Sequence, residues 1–230
     1  QVLEPDINGA TIDVLTRNGV EVLVPRAPGC CGGLAWHTGD LTSAQAAARR
    51  NLDAFPADVD AILTNAAGCG SAMHEYALIL RGTADAERAK AFCGRVVDVS
   101  VFLARLGLRE RPAGWTEKTA VAYHDACHLA HAQGVREAPR RLLQAAGLEV
   151  LEPREWELCC GSAGTYNLFQ PEIAEALGRR KAENLKATGA DLVATGNIGC
   201  LTQIQAYLDL PVLHTAELLA LLYEGKDPLA

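Results

Sequence analysis

What this 230-residue sequence lacks narrows its class before any motif is considered. No apolar run approaches the roughly 18 residues that a membrane-spanning helix needs, so an integral membrane helix is not expected. Basic side chains do not outnumber acidic ones: 21 face 28, a formal net charge of -7. Such a balance repels phosphate backbones and anionic lipid alike, and nucleic acid is not an expected partner. There is no GxGxxG at a strand–turn–helix, so a dinucleotide or flavin is expected elsewhere than on this chain. The opening QVLEPDINGA has no initiator methionine, basic segment or apolar segment, so no secretory signal is expected and the first residue reads as cut from a longer protein. Neither is the chain short of apolar residues, at 49% hydrophobic and 21% charged, which excludes a disordered polymer and suits one large domain or two small ones.

Cysteine, by contrast, is abundant. Eight are many for a chain without an export signal, and in a reducing compartment such thiols are more often metal ligands or redox groups than structural disulfides.

Helix and strand patterns alternate throughout. Asn8 to Asn18 reads as a helix ended by Gly19, and Val20 to Val24 as a strand closed by Pro25. The loop PGCCGG follows at 28–33. Thr42 with Gln45 forms a capping box for a helix to about Phe55, Ala61 to Thr64 is a buried strand, and Cys69 stands just past it. The second half runs in the same order. A strand Thr119 to Tyr123 precedes Cys127; a helix from about Pro139 ends at Gly147; Leu148 to Leu151 is a strand, and Cys159, Cys160 and Gly161 form the matching loop. A helix from Pro171 to Gly189, a strand Leu192 to Thr195, Cys200, a strand Val212 to His214 and a helix from about Thr215 complete the chain.

The likeness is quantitative. Gly19 and Gly147, Cys30 and Cys159, and Cys69 and Cys200 are all separated by one common offset to within a few positions, which points to internal duplication. The polar, Pro- and Gly-broken segment Arg111 to Lys118 separates the copies, giving a first repeat over 1–110 and a second over 119–230. In this register the partner of Cys127 falls just before Gln1, so copy one is expected to lack its first cysteine through truncation.

Copy two offers Cys127, then after a long gap the pair Cys159 and Cys160, then after a second long gap Cys200. Four thiolates are the usual complement of an iron–sulfur cluster or a structural zinc. The long gaps do not match a ferredoxin run or a zinc ribbon, but strand-end loops of an α/β sheet gather distant positions. For one adjacent pair, a vicinal disulfide or two unconnected core thiols are the alternatives. Two CCG tripeptides in register, each followed by a further cysteine at nearly the same distance, Cys69 in one copy and Cys200 in the other, argue for a ligand role.

The motifs PGCCGG at 28–33, NAAGCG at 65–70, LCCGSAGTY at 158–166 and NIGCL at 197–201 resemble the cysteine-rich CCG domain. That domain occurs in the heterodisulfide reductase B subunit, in lactate-utilisation proteins and in the iron–sulfur subunit of glycolate oxidase. CCGSAGTYNLFQPE and TGNIGCLTQIQ look most like the C-terminal tandem CCG region of the glycolate oxidase subunit, and the likeness spans essentially the whole chain.

The resemblance implies a tandem α/β fold, each repeat a small mainly parallel sheet flanked by helices, with cysteine sites on strand-end loops. It implies cluster ligation by Cys30, Cys31 and Cys69 in copy one and by Cys127, Cys159, Cys160 and Cys200 in copy two. The cofactor would be a [4Fe-4S] cluster, cubane or non-cubane, with zinc as the alternative at one site. In the heterodisulfide reductase relatives the last ligands form a CxxC; here those partner positions hold Ala72 and Gln203, so a five-thiolate site is not assumed. Implied partners are FAD-containing dehydrogenase subunits, an N-terminal ferredoxin-like domain outside this chain, and a quinone or other electron acceptor. The implied location is cytoplasmic, peripheral on the inner face of the cell membrane through the complex. The implied function is electron transfer from glycolate oxidation; lactate utilisation and a zinc or metal-free docking module are the alternatives.

His124, Asp125 and His128 flank Cys127, where an imidazole either ligates iron, donates to a cluster sulfur, or is satisfied by backbone. His37 and His74 are weaker candidates to replace the missing cysteine of copy one. Cys93 has no counterpart in the register and reads as a buried thiol or a bystander. Thr165 and Tyr166 either line a cleft or pack.

Overall fold

A computed structural model describes residues 4–26, 28–109, 111–112 and 117–229. In chain order its elements are α1 (Asp6–Arg17), α2 (Gly33–His37), α3 (Leu41–Ala54), β1 (Ile62–Thr64), α4 (Ala67–His74), α5 (Tyr76–Ile79), α6 (Ala86–Cys93), β2 (Val96–Asp98) and α7 (Val99–Leu106). There follow β3 (Ala120–His124), a π-helical turn His128–Ala132, α8 (Glu137–Ala145), β4 (Glu149–Leu151), α9 (Tyr166–Phe169), α10 (Pro171–Lys186), β5 (Leu192–Thr195), α11 (Ile198–Gln205), β6 (Val212–His214) and α12 (Thr215–Glu224). This is the α/β alternation that the sequence announces, with all described strand pairs parallel.

Packing divides the chain into two compact units, residues 23–99 and the remainder, residues up to 22 together with those from 100 onward. The sequence repeat is divided instead in the segment 111–118, of which 113–116 lie outside the described residues. The difference has a local cause: α1 packs along α12, so the first helix belongs with the last. Buried Asn18, just past α1, joins these elements by donating to the Tyr223 hydroxyl at 3.1 Å and accepting from the Arg109 backbone N–H at 2.9 Å.

The unit 23–99 holds a two-stranded sheet, β1 beside β2. Its core forms where Ala44, Ala48 and Leu52 of α3 meet Ile62, Met73, Tyr76, Ile79, Phe92 and Val96. Tyr76 stacks on Phe92 with ring centroids 5.4 Å apart, and Phe55 meets Phe92 edge-on at 5.7 Å. Helix α3 starts two residues earlier than the Thr42–Gln45 box implies: Asp40 is the cap, its carboxylate accepting from Ser43 N–H at 3.0 Å. Gln45 is drawn away, donating to the Ile79 carbonyl at 3.0 Å.

The other unit carries a four-stranded sheet in the order β4-β3-β5-β6. The central strands are apolar on both faces, since Val121, Ala122 and Tyr123 of β3 and Leu192, Val193 and Ala194 of β5 are fully buried, as in a parallel sheet covered by helices on each side. The chain runs from β3 outward to β4, then returns to β5 and proceeds the other way to β6. The topological switch therefore lies between β3 and β5, where open α/β sheets place ligands, at the carboxyl ends of the strands.

Residues 20–24 correct the sequence reading, because they join no strand among the described residues, and Leu23 and Val24 are exposed. The segment in the same position of copy two, β4, is held by pairing with β3. A β-propensity without a ladder partner does not make a strand, and among the described residues none pairs with this segment.

One buried ion pair anchors the sheet's carboxyl edge. Arg140 of α8, 5% exposed, makes a two-pronged contact with Asp125, just past β3, with Nη1 to Oδ1 at 2.9 Å, and also reaches Glu152, just past β4, with Nη2 to Oε2 at 2.9 Å. Removing the cation would strand a buried carboxylate. Arg140→Ala is therefore expected to lower stability by about 3–5 kcal/mol, read as a drop in the urea midpoint at unchanged slope, and the double change Arg140→Met with Asp125→Leu to recover much of it.

Candidate metal centre

The cysteines of each repeat are delivered by different elements, and three of them correct the expectation of strand-end loops. Cys30, Cys31, Cys159 and Cys160 lie in loops, but Cys69 and Cys200 are each the third residue of a helix, α4 and α11, and Cys127 opens the π-helical turn after β3. The first turn of a helix presents free backbone N–H groups and the positive end of its dipole, an environment that favours a thiolate more than a loop does.

The two CCG loops are built alike. The N–H of Gly32 donates to Cys30 Sγ at 3.5 Å, and the N–H of Gly161 donates to Cys159 Sγ at 3.3 Å. Both glycines have left-handed backbones, at φ +79 and +93. A Cβ on Gly32 would meet Ala47 Cβ at 2.8 Å, and one on Gly161 would collide with the Ala174 carbonyl oxygen. The third letter of CCG is thus imposed by the turn that points adjacent sulfurs to one side and by the close approach of the following helix.

Each loop is tied down by a buried polar side chain at corresponding places on α3 and α10. In the unit 23–99, Asn51 accepts from Gly29 N–H at 3.0 Å and donates to the Cys30 carbonyl at 3.1 Å and the Tyr76 hydroxyl at 2.8 Å, while that hydroxyl donates to the Cys31 carbonyl at 2.9 Å. In the other unit, fully buried Lys181 donates to the carbonyls of Glu155 at 2.8 Å and Trp156 at 3.3 Å, closing the turn before Cys159. Burial pulls its pKa below the ordinary lysine value, opposed chiefly by the negative groups of Cys127 and Asp125. Trp156 in that turn lies under the Arg136 guanidinium at 3.5 Å and stacks on His131 at 5.7 Å, which links the segments carrying Cys127 and Cys159.

The thiols then interact directly. Cys127 and Cys159 are near enough to shift each other's pKa, as Cys160 is with both Cys159 and Cys200. Cys159 is held strongly toward thiolate, first by Cys127 and Cys160 and further by Gly161 N–H, against burial. Cys200 is lowered well below the ordinary thiol range, mainly by Cys160, and Asn197 Nδ2 donates to its sulfur at 3.3 Å. Cys127 and Cys160 are correspondingly raised as the proton donors of these pairs, with burial adding to it. In the first repeat, Cys69 donates to Cys31, whose pKa falls to about 6 with help from Gly33 N–H, while Cys69 itself is raised.

The structure thus brings together Cys127, Cys159, Cys160 and Cys200 in one repeat, and Cys31 with Cys30 and Cys69 in the other. Cys160 and Cys200 are buried, whereas Cys30 and Cys69 are exposed. Four soft sulfur donors whose protons are shared between them suit iron–sulfur or zinc and not a hard cation such as Mg²⁺ or Ca²⁺. The first repeat, with three sulfurs, fits less completely. His37 does not complete it: its Nε2 lies 3.9 Å from the Glu75 carboxylate. His74 interacts with the backbone of Cys93, and burial lowers its pKa. The Cys93 thiol donates to the Met73 carbonyl at 3.2 Å, apart from the other sulfurs. Tyr166 is over a third exposed on α9. Sequence reasoning missed Asn51, Lys181 and Arg140; the only linear signal was a polar residue on an otherwise apolar helix face.

Parallel sheets with paired-cysteine loops and helix-start cysteines converging at strand ends define a class of tandem, sulfur-ligand α/β proteins. The chain belongs to the cysteine-rich (CCG) domain family, whose profile matches residues 1–74 and 121–205. It is 35% identical over 222 residues to the probable glycolate oxidase iron-sulfur subunit of Bacillus subtilis, covering 92% of this chain and 50% of that one. It is also 35% identical over 227 residues to the glycolate oxidase iron-sulfur subunit of Escherichia coli, covering 94% and 54%. Lactate utilization protein A of Oceanobacillus iheyensis is 31% identical over 228 residues, covering 96% and 92%. The chain therefore spans about half the length of the glycolate oxidase subunits it matches and nearly all of the lactate utilization protein. Among the described residues no helix is long and apolar enough to cross a membrane.

Two outcomes follow from this geometry. Gly161→Ala is expected to cost at least about 1–2 kcal/mol from the left-handed backbone alone, with the collision at Ala174 added, and to lower metal uptake; Ala at Gly134, where a Cβ meets nothing, is the control for backbone strain without collision. In metal-free protein, alkylation of Cys31 followed by mass spectrometry should rise through about pH 6, and Cys69→Ala should move that rise toward the ordinary thiol value because the main donor to the thiolate is gone.

Proposed function

We propose that this chain is an iron–sulfur electron-transfer component of a flavin-dependent 2-hydroxy-acid dehydrogenase, passing electrons from glycolate oxidation to glyoxylate toward the quinone pool. The observation that carries the reading is the meeting of Cys127, Cys159, Cys160 and Cys200, close enough to shift one another's pKa, in a chain whose relatives bear the name iron-sulfur subunit. These four residues would hold a [4Fe-4S] cluster, cubane or non-cubane, and Cys30, Cys31 and Cys69 would contribute to a second, less complete site. Each lies in its own sequence repeat, 1–110 and 119–230.

A bound cluster supplies one-electron acceptance and return. The protein's own part is to keep the sulfurs deprotonated, shield them and set their energy. Gly161 N–H and Asn197 Nδ2, donating to Cys159 and Cys200, favour the more negative, reduced state and raise the potential. The buried Lys181 charge acts in the same direction. No proton abstraction from carbon is assigned to this chain; hydride removal belongs to FAD-containing partner subunits, with an N-terminal ferredoxin-like domain and a quinone or other acceptor completing the path. We place the protein in the cytoplasm, peripheral on the inner face of the membrane through its complex.

Lactate is the second reading of the substrate, favoured by the 92% span of lactate utilization protein A.

Metal and acid-labile sulfide are measured on anaerobically reconstituted protein. About four irons and four sulfides per second-repeat site, with broad visible absorption that bleaches on reduction and is lost in Cys200→Ser, is the expected result. Zinc alone, or no metal, overturns electron transfer and leaves a docking module. With the flavin subunits added, bleaching by glycolate and not by lactate supports the first substrate, and the reverse supports the second.

A further inference from the structure

We propose that His124 is a ligand of the second-repeat metal centre, its imidazole binding the same metal atom as Cys160 and Cys200. The inference rests on the proposed iron-binding reading of that repeat and adds to it a donor that is not a cysteine.

His124 is the last residue of β3, the strand on one side of the topological switch, and is fully buried. A ring nitrogen of His124, Cys160 Sγ and Cys200 Sγ all lie within 4.8 Å of one another, and all three residues are buried. Donors on one tetrahedral ion stand about 3.5–4 Å apart when metal–sulfur bonds are near 2.3 Å and metal–nitrogen bonds near 2.0 Å. The observed spacing is close to that of donors on a single ion.

The second observation is what the imidazole lacks. Neither ring nitrogen has a hydrogen-bond partner, although both are shut off from solvent. A buried polar atom left unpaired costs about 1–3 kcal/mol, and native interiors seldom retain one without a use for it. The imidazole lies beside the Cys160 and Cys200 sulfurs without hydrogen-bond geometry to either. A ring nitrogen near two sulfurs and without a hydrogen-bond partner is available as a donor to a metal held by them.

The surroundings keep the ring there. Asp125, the next residue, is pinned by Arg140, and β3 is paired on both sides, with His124 opposite Thr195 of β5. With His124 the donor set of the second repeat would number five: four sulfurs and one nitrogen.

The test uses the whole chain reconstituted with ⁵⁷Fe and sulfide and labelled with ¹⁵N-histidine. A strong ¹⁵N hyperfine coupling in pulsed EPR of the reduced cluster is expected, with one iron of distinct, larger isomer shift in the Mössbauer spectrum, a readout that also serves the diamagnetic state. Both should survive His128→Ala. His124→Cys should keep iron content within about twofold, because a thiolate replaces the donor, but lose both signatures; His124→Leu should lose iron as well. A loaded cluster with no strong histidine coupling and no distinct iron overturns the assignment of His124 alone. A chain that takes up neither iron nor sulfide overturns the function on which it rests.

Discussion

Everything in the second repeat depends on where a parallel sheet reverses its order. The strands β3 and β5 are neighbours, but the chain leaves β3 in one direction and β5 in the other, so no connection crosses the crevice between their carboxyl ends. Cys127 follows the first strand and Cys200 the second, far apart in sequence but set at the ends of neighbouring strands. The CCG loop arrives from beyond β4. Neighbouring thiols favour sulfur chemistry because each lowers the pKa of one partner, which leaves that sulfur more readily deprotonated, the form a metal requires.

Around the sulfurs the fold uses buried polar groups as struts. Lys181 and Asn51 come from corresponding helices and each holds the backbone of a CCG loop through carbonyls, one as a cation and the other as an amide. Lysine serves where two carbonyls need a donor and a positive charge near sulfur is useful; asparagine serves where the loop also needs an acceptor for Gly29 N–H. Arg140 holds the ends of β3 and β4 in the same manner. Such groups stabilise only as complete sets, since each unpaired member would carry the full cost of burial. They fix geometry where apolar packing alone would let a loop slide.

Much of this was legible in the linear sequence. The common offset of Gly19 and Gly147, of the two CCG triplets, and of Cys69 and Cys200 revealed the duplication, and alternating apolar runs revealed α/β architecture. The expected positions of β1, β3, β5 and β6 agree with the structure to within a residue or so. Other readings failed for physical reasons. Val20 to Val24 has the composition of a strand but no ladder to join among the described residues. Gln45 has the spacing of a capping box but a better partner in the Ile79 carbonyl. Cys69 and Cys200 follow strands as expected, but the helices begin just before them, since a short turn suffices where a parallel strand feeds a helix.

Sequence by itself determined the number of cysteines, their grouping by repeat and the glycine after each pair, because these are matters of composition, spacing and backbone freedom that survive in one dimension. Tertiary structure alone decided that His124 faces Cys160 and Cys200 while His37 faces Glu75, that Lys181 is buried, and that α1 packs with α12. Each of those depends on strand order and helix placement, which bring together residues distant in the chain, and no local periodicity records that proximity.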